Sequence, residues 1–125
     1  MSKRTRTPAT DAVLSALKAV QADADIINLA KYNDAADARR LVGAIDADIV
    51  KAKAKVEHLF ERNAAGKVDD AVVVDAERRL GDLEVKRREA WAAFERASDV
   101  WRATQAVATA AAEVVEARRQ ALLSA

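Results

Sequence analysis

His58 is the only imidazole in the chain, and it lies beside Glu57 with Glu61 and Arg62 close behind. Any nucleophilic triad or histidine acid–base step would have to use it, and there is no cysteine to serve as a nucleophile or soft metal ligand. A metal centre needs several convergent ligands, which one His–Glu pair does not supply. His58 is therefore expected to be a surface histidine near the end of a helix. The acidic pairs Asp23/Asp25, Asp46/Asp48 and Asp69/Asp70 are the other places where paired carboxylates might act. On a helix, residues two apart point in different directions, so the first two pairs are expected to be solvated. No glycine-rich loop is present to cradle a phosphate. The expectation is a non-enzyme, with no catalytic, cofactor-binding or metal-binding residue and no small-molecule substrate.

Composition says what must position these groups. The chain has 125 residues, 51% of them hydrophobic, but 31 of those are Ala and aromatics reach only 4%. With 33% charged residues, three Gly and one Pro, this is the composition of long helices or coiled coil. A net charge of +1 gives no global attraction to nucleic acid or acidic membranes. No run approaches the roughly 20 apolar residues of a membrane span. The basic start of the chain lacks the apolar segment of a signal peptide. The expected setting is the cytoplasm, or a particle assembled there, with no membrane partner.

One break stands out, Asn63-Ala64-Ala65-Gly66-Lys67-Val68-Asp69. It divides two helical arms of nearly equal length, roughly 8–65 and 69–123. A short connection forces antiparallel neighbours, so the fold class is all-α, a long coiled-coil-like antiparallel helical hairpin. Residues 1–7 form a basic leader, and 8–125 form one hairpin domain with its turn at 63–69. Thr7 is expected to cap the first helix with Pro8 at its first position. Gly66 suits the left-handed end of that helix, and Asp69 is expected to cap the second. Val68 and Val73 have the spacing of a hydrophobic staple across that cap.

In the second arm Val73, Ala76, Leu80, Leu83, Arg87, Ala90, Phe94, Ala97, Trp101, Thr104, Ala108, Ala111, Val115, Arg118 and Leu122 alternate by three and four. That is an unbroken seven-residue repeat. In the first arm, Val13, Leu17, Val20, Ala24, Ile27 and Ala30 are followed out of phase by Ala38, Leu41, Ile45, Ile49, Ala52, Val56 and Leu59. The polar stretch 31–37 lies where the phase is lost. It reads as a helix with a wet patch or, alternatively, as a kink or break at Asn33 or Asp34 that would give three helices. Folding about the turn places residue i near residue 134 minus i, within about one helical turn. Trp91 then falls opposite Gly43, whose missing side chain would make room for the indole, and Trp101 falls opposite Ala30 and Asn33.

Binding residues are expected away from the turn. Val13/Leu14 and Ile26/Ile27 on one arm, and Val100/Trp101, Val107/Ala108, Val114/Val115 and Leu122/Leu123 on the other, double the apolar stripe that a two-helix seam needs. A widened stripe points to a third or fourth helix. Val13, Leu14, Ile26, Ile27, Val100, Trp101, Val107, Val114, Val115 and Leu122 are the candidate protein interface. Lys3, Arg4 and Arg6 are the candidate nucleic-acid contacts, since basic arms bind phosphates. The leading expectation is a structural or assembly protein that forms a homo-oligomer or a larger protein assembly. Short Ala- and Arg-rich helical proteins occur among scaffolding and other virion components, an analogy at the level of fold. The alternatives are an oligomeric nucleic-acid-associated protein that uses its basic arm, and a helical adaptor or inhibitor of another protein.

Overall fold

The computed structural model describes residues 7 to 125. The described residues form two α-helices packed against each other, α1 (Ala12–Ala64) and α2 (Asp70–Leu123), joined by a short turn. They divide into two compact units, one made of residues 7–34 with Ser98–Ala125, the other of Ala35–Ala97. These are called below the open-end unit and the turn unit.

The first helix starts later than Thr7 and Pro8 suggest. Residues 8–10 make a turn, with the Thr10 N–H donating to the Thr7 carbonyl at 3.1 Å. Asp11 is the true N-cap. Its Oδ1 accepts the Leu14 N–H at 2.6 Å and its carbonyl accepts the Ser15 N–H at 3.1 Å. The cap moves because Asp11 can also meet a cation on α2, which Thr7 cannot offer.

The stretch 31–37 is continuous helix with a wet patch, and the alternative break that would give three helices does not form. No Gly or Pro interrupts the stretch, and its polar residues bond along the helix. Lys31 pairs with Asp34 at 3.7 Å, and Arg40 pairs with Asp37. These are i,i+3 neighbours on a solvated surface. Asn33 and Asp34 are mid-helix residues, not caps.

The end of α1 is a Schellman motif. Gly66 has φ +73°, its N–H donates to the Asn63 carbonyl at 2.9 Å, and the Lys67 N–H donates to the Arg62 carbonyl at 2.9 Å. The Asn63 side chain ties the turn down, donating to the Val68 carbonyl at 3.1 Å and to Asp70 Oδ1 at 2.7 Å. Asp69 stands just before α2, and its carbonyl accepts the Val72 N–H at 3.1 Å.

The seam of α2 is the one its sequence predicts, with all fifteen repeat positions from Val73 to Leu122 buried or half-buried. The seam of α1 differs from expectation in its first half. Leu14, Gln21, Asn28, Ala35, Val42, Ile49, Val56 and Asn63 recur at intervals of seven, and Leu17, Ala24, Lys31, Ala38, Ile45, Ala52 and Leu59 recur between them. None of the fifteen is exposed, so the phase never drifts. Val13, Val20 and Ile27, which appear to carry the stripe in the sequence, are 48%, 58% and 52% exposed. The true seam is hidden from a hydrophobicity reading because Gln21, Asn28 and Lys31 occupy it.

Candidate functional site

The open-end unit holds its seam together with polar bonds. Asp11 is buried and accepts a two-pronged bond from Arg118, from Nε to Oδ1 at 3.2 Å and from an Nη to Oδ2 at 2.8 Å. This bond to Asp11 raises the pKa of the Arg118 guanidinium above its ordinary value, against the opposing effect of burial. Further along, the Thr104 hydroxyl donates to Asn28 Oδ1 at 3.2 Å. Tyr32 meets Trp101 edge-on, with ring centroids 5.4 Å apart. Apolar packing in this seam is concentrated in Leu14, Ala24, Ala108 and Val115. A polar pair in a helical seam fixes register, because any slip leaves its partners unbonded.

The turn unit has an apolar seam. Ala35, Val42, Ile49, Val56, Val73, Ala76 and Ala90 are buried, and Val42 is sealed completely. One ion pair crosses it, Arg87 Nε to Asp46 Oδ1 at 2.5 Å. The partner lies within one residue of the expected register. Trp91 is not housed by Gly43. A Cβ built on Gly43 would meet nothing within 4 Å, so the glycine leaves open space rather than holding an indole. Trp91 instead meets two guanidinium groups, those of Arg39 and Arg87, each 5.6 Å from its ring centroid, and donates its indole N–H to Glu95 at 2.6 Å. On the same helix Arg79 pairs with Asp75 at 3.1 Å.

With the seam located, the flanking positions of the repeat can be assigned. In an antiparallel pair, the residue preceding each first seam position lies on the same side of the seam in both helices. The turn unit shows this directly, since Leu41, Asp48, Lys86 and Ala93 line one open groove, and Lys55, Val72 and Arg79 line another. The corresponding positions of the open-end unit are Val13, Val20, Ile27 and Asp34 on α1, and Val100, Val107, Val114 and Ala121 on α2. Next outward on the same side are Ala16, Asp23 and Ala30 on α1, and Ala103, Ala110 and Ala117 on α2. All are exposed. The result is an outward apolar face interrupted by two carboxylates, one of which, Asp34, is paired with Lys31. The opposite flank carries Lys18, Asp25 and Tyr32 with Ser98, Gln105, Ala112 and Arg119 and is polar.

The candidate interface residues therefore separate. Leu14 and Val115 are buried in the seam, and Trp101 and Leu122 are half-buried on it. Val13, Ile27, Val100, Val107 and Val114 lie on the outward face. Ile26, 68% exposed, sits one step beyond it. Val20 and the exposed alanines belong to the face but escape the sequence reading: Val20 passes for a seam residue, and isolated alanines pass for ordinary helix formers. Lys3, Arg4 and Arg6 lie outside the described residues.

Among the described residues, no group of three or more His, Asp or Glu is placed to hold a metal ion, and His58 is exposed. Glu116 has its pKa lowered chiefly by the Gln120 amide, with Arg119 adding to the effect. It is an exposed local network on one helix. No described helix is long and apolar enough to cross a membrane. No protein-family model, curated protein or solved structure matches the chain.

Proposed function

We propose that this protein is a non-enzymatic assembly protein, a helical hairpin that joins a larger protein structure through the open-end unit. A scaffold or virion component is one concrete form of such a role. The observation that carries this reading is the inverted polarity of that unit. Gln21, Asn28, Lys31, Thr104 and Arg118 occupy its seam, while Val20, Ile26, Ile27 and Val107 are each more than half exposed. Among the described residues, ten of the sixteen large exposed hydrophobic residues belong to this unit, although it is smaller than the turn unit. A contiguous apolar face of this kind on a soluble helical layer marks an interaction site. Covering it would supply the burial that an Ala-rich, polar seam withholds.

The test is solution mass as a function of concentration, together with thermal unfolding over the same range. Assembly predicts a mass above the 13.5 kDa of one chain and a Tm that rises with concentration. A folded 13.5 kDa monomer with a concentration-independent Tm would count against the proposal.

A further inference from the structure

We infer that the partner of the outward face is a second copy of this chain, stacked face to face so that the open-end units of two hairpins form a four-helix core. This rests on the assembly reading above and specifies its partner and surface.

The first ground is shape. On α2 the face reads Val100, Ala103, Val107, Ala110, Val114, Ala117, a strict alternation of large and small at spacings of three and four. This is a second seam of the same helix, turned away from the first. A knob on one helix needs a hole opposite it, and a large–small alternation supplies both. Such a surface fits a copy of itself. Contact about a two-fold axis requires this self-complementarity, because the same patch is used on both sides.

The second ground is exposure. Val13, Val20, Ile27, Val100, Val107 and Val114 are each between 46% and 62% exposed, so the two helices of the hairpin leave this face uncovered. Five of the eight corresponding positions of the turn unit are charged, Asp48, Lys55, Arg62, Arg79 and Lys86, against one of eight, Asp34, in the open-end unit.

Charge-swapped variants test this. Val20→Glu with Val107→Glu makes one chain acidic on the face, and Val20→Lys with Val107→Lys makes another basic. Both sites are exposed, so the variants burden the hairpin itself little. Sedimentation should show the unmodified chain as a dimer, each variant alone at least 100-fold weaker in self-association, and an equimolar mixture restored to two-chain mass. If a variant unfolds when alone, recovery of helicity on mixing reads the same pairing. Arg79→Glu with Lys86→Glu in the turn unit should leave the dimer intact. An oligomer unaffected by the face variants would overturn this pairing while leaving the assembly reading standing. Failure of the mixture to re-pair, or dissociation by the turn-unit variant, would do the same. A folded monomer of the unmodified chain at every concentration would overturn both.

Discussion

The two units are built from the same pair of helices on the same seven-residue repeat, yet they distribute polarity in opposite ways. In the turn unit the seam is mainly apolar, with Val42, Ile45, Ile49, Val56, Val73, Leu80 and Leu83, and the flank mixes the charges of Asp48, Lys55, Arg79 and Lys86 with Leu41, Val72 and Ala93. In the open-end unit the seam holds Gln21, Asn28, Lys31, Thr104 and Arg118, and one flank is aliphatic. A repeat position sets geometry, and residue type decides which side of a helix meets water. The turn unit spends its apolar side chains on its own seam. The open-end unit spends them outward, and polar bonds keep its two helices in register.

That contrast can be broken or sharpened by substitution. The largest effect is expected for Val42→Asp. It places an unpaired carboxylate in a sealed apolar position and should cost about 4 kcal/mol, read as loss of helicity in denaturant titration. The same change at exposed Val107 should leave the stability of the dilute chain within about 0.5 kcal/mol. Equal losses at the two sites would erase the distinction between the units. Next comes Asp11→Ala, which removes a buried cap and should cost about 2 kcal/mol, with faster amide exchange at the start of α1. Protection in the turn unit should stay as it was. Gly66→Ala forces a Cβ into a left-handed conformation and should cost about 1 kcal/mol in thermal unfolding. The smallest effect has the opposite sign. Gly43→Ala meets open space in mid-helix and should stabilise the chain by about 0.8 kcal/mol, where a glycine that housed Trp91 would give a loss.

Much of the fold was legible before any coordinates. Gly66 and the short turn point to the hairpin, because a left-handed helix end and a five-residue connection leave few alternatives. The α2 seam was legible throughout because its apolar repeat is nearly continuous. In the first half of the α1 seam the sequence reading finds Leu17 and Ala24, but it takes Val13, Val20, Ile27 and Ala30 for seam residues where Leu14, Gln21, Asn28 and Lys31 stand. A hydrophobicity rule fails there for the same reason that the region is a candidate binding site. The polarity of stretch 31–37 leaves a break open as the alternative to a wet helical patch, and the local pairs Lys31–Asp34 and Asp37–Arg40 are compatible with the continuous helix observed. The Asp11–Arg118 clasp could not be read, since its partners are 107 residues apart and fall short of the expected register by more than a turn. The doubled pairs at Val100, Val107 and Val114 did point towards the outward face, though Leu14 and Val115 were assigned to it from the seam side.

The Schellman turn fixed by Asn63 also bears on the order in which the molecule comes together. It brings α1 and α2 side by side while every later contact is still distant in sequence. The bond between Asp46 and Arg87 spans 41 residues, and that between Asp11 and Arg118 spans 107. Closing the longer loop directly from the unfolded chain costs about 1 kcal/mol more in entropy than closing the shorter one. A hairpin that zips from its turn avoids that penalty and closes the Asp11–Arg118 clasp last. The outward face of the open-end unit is then completed at the final stage of closure, so it is the last surface of the hairpin to take shape.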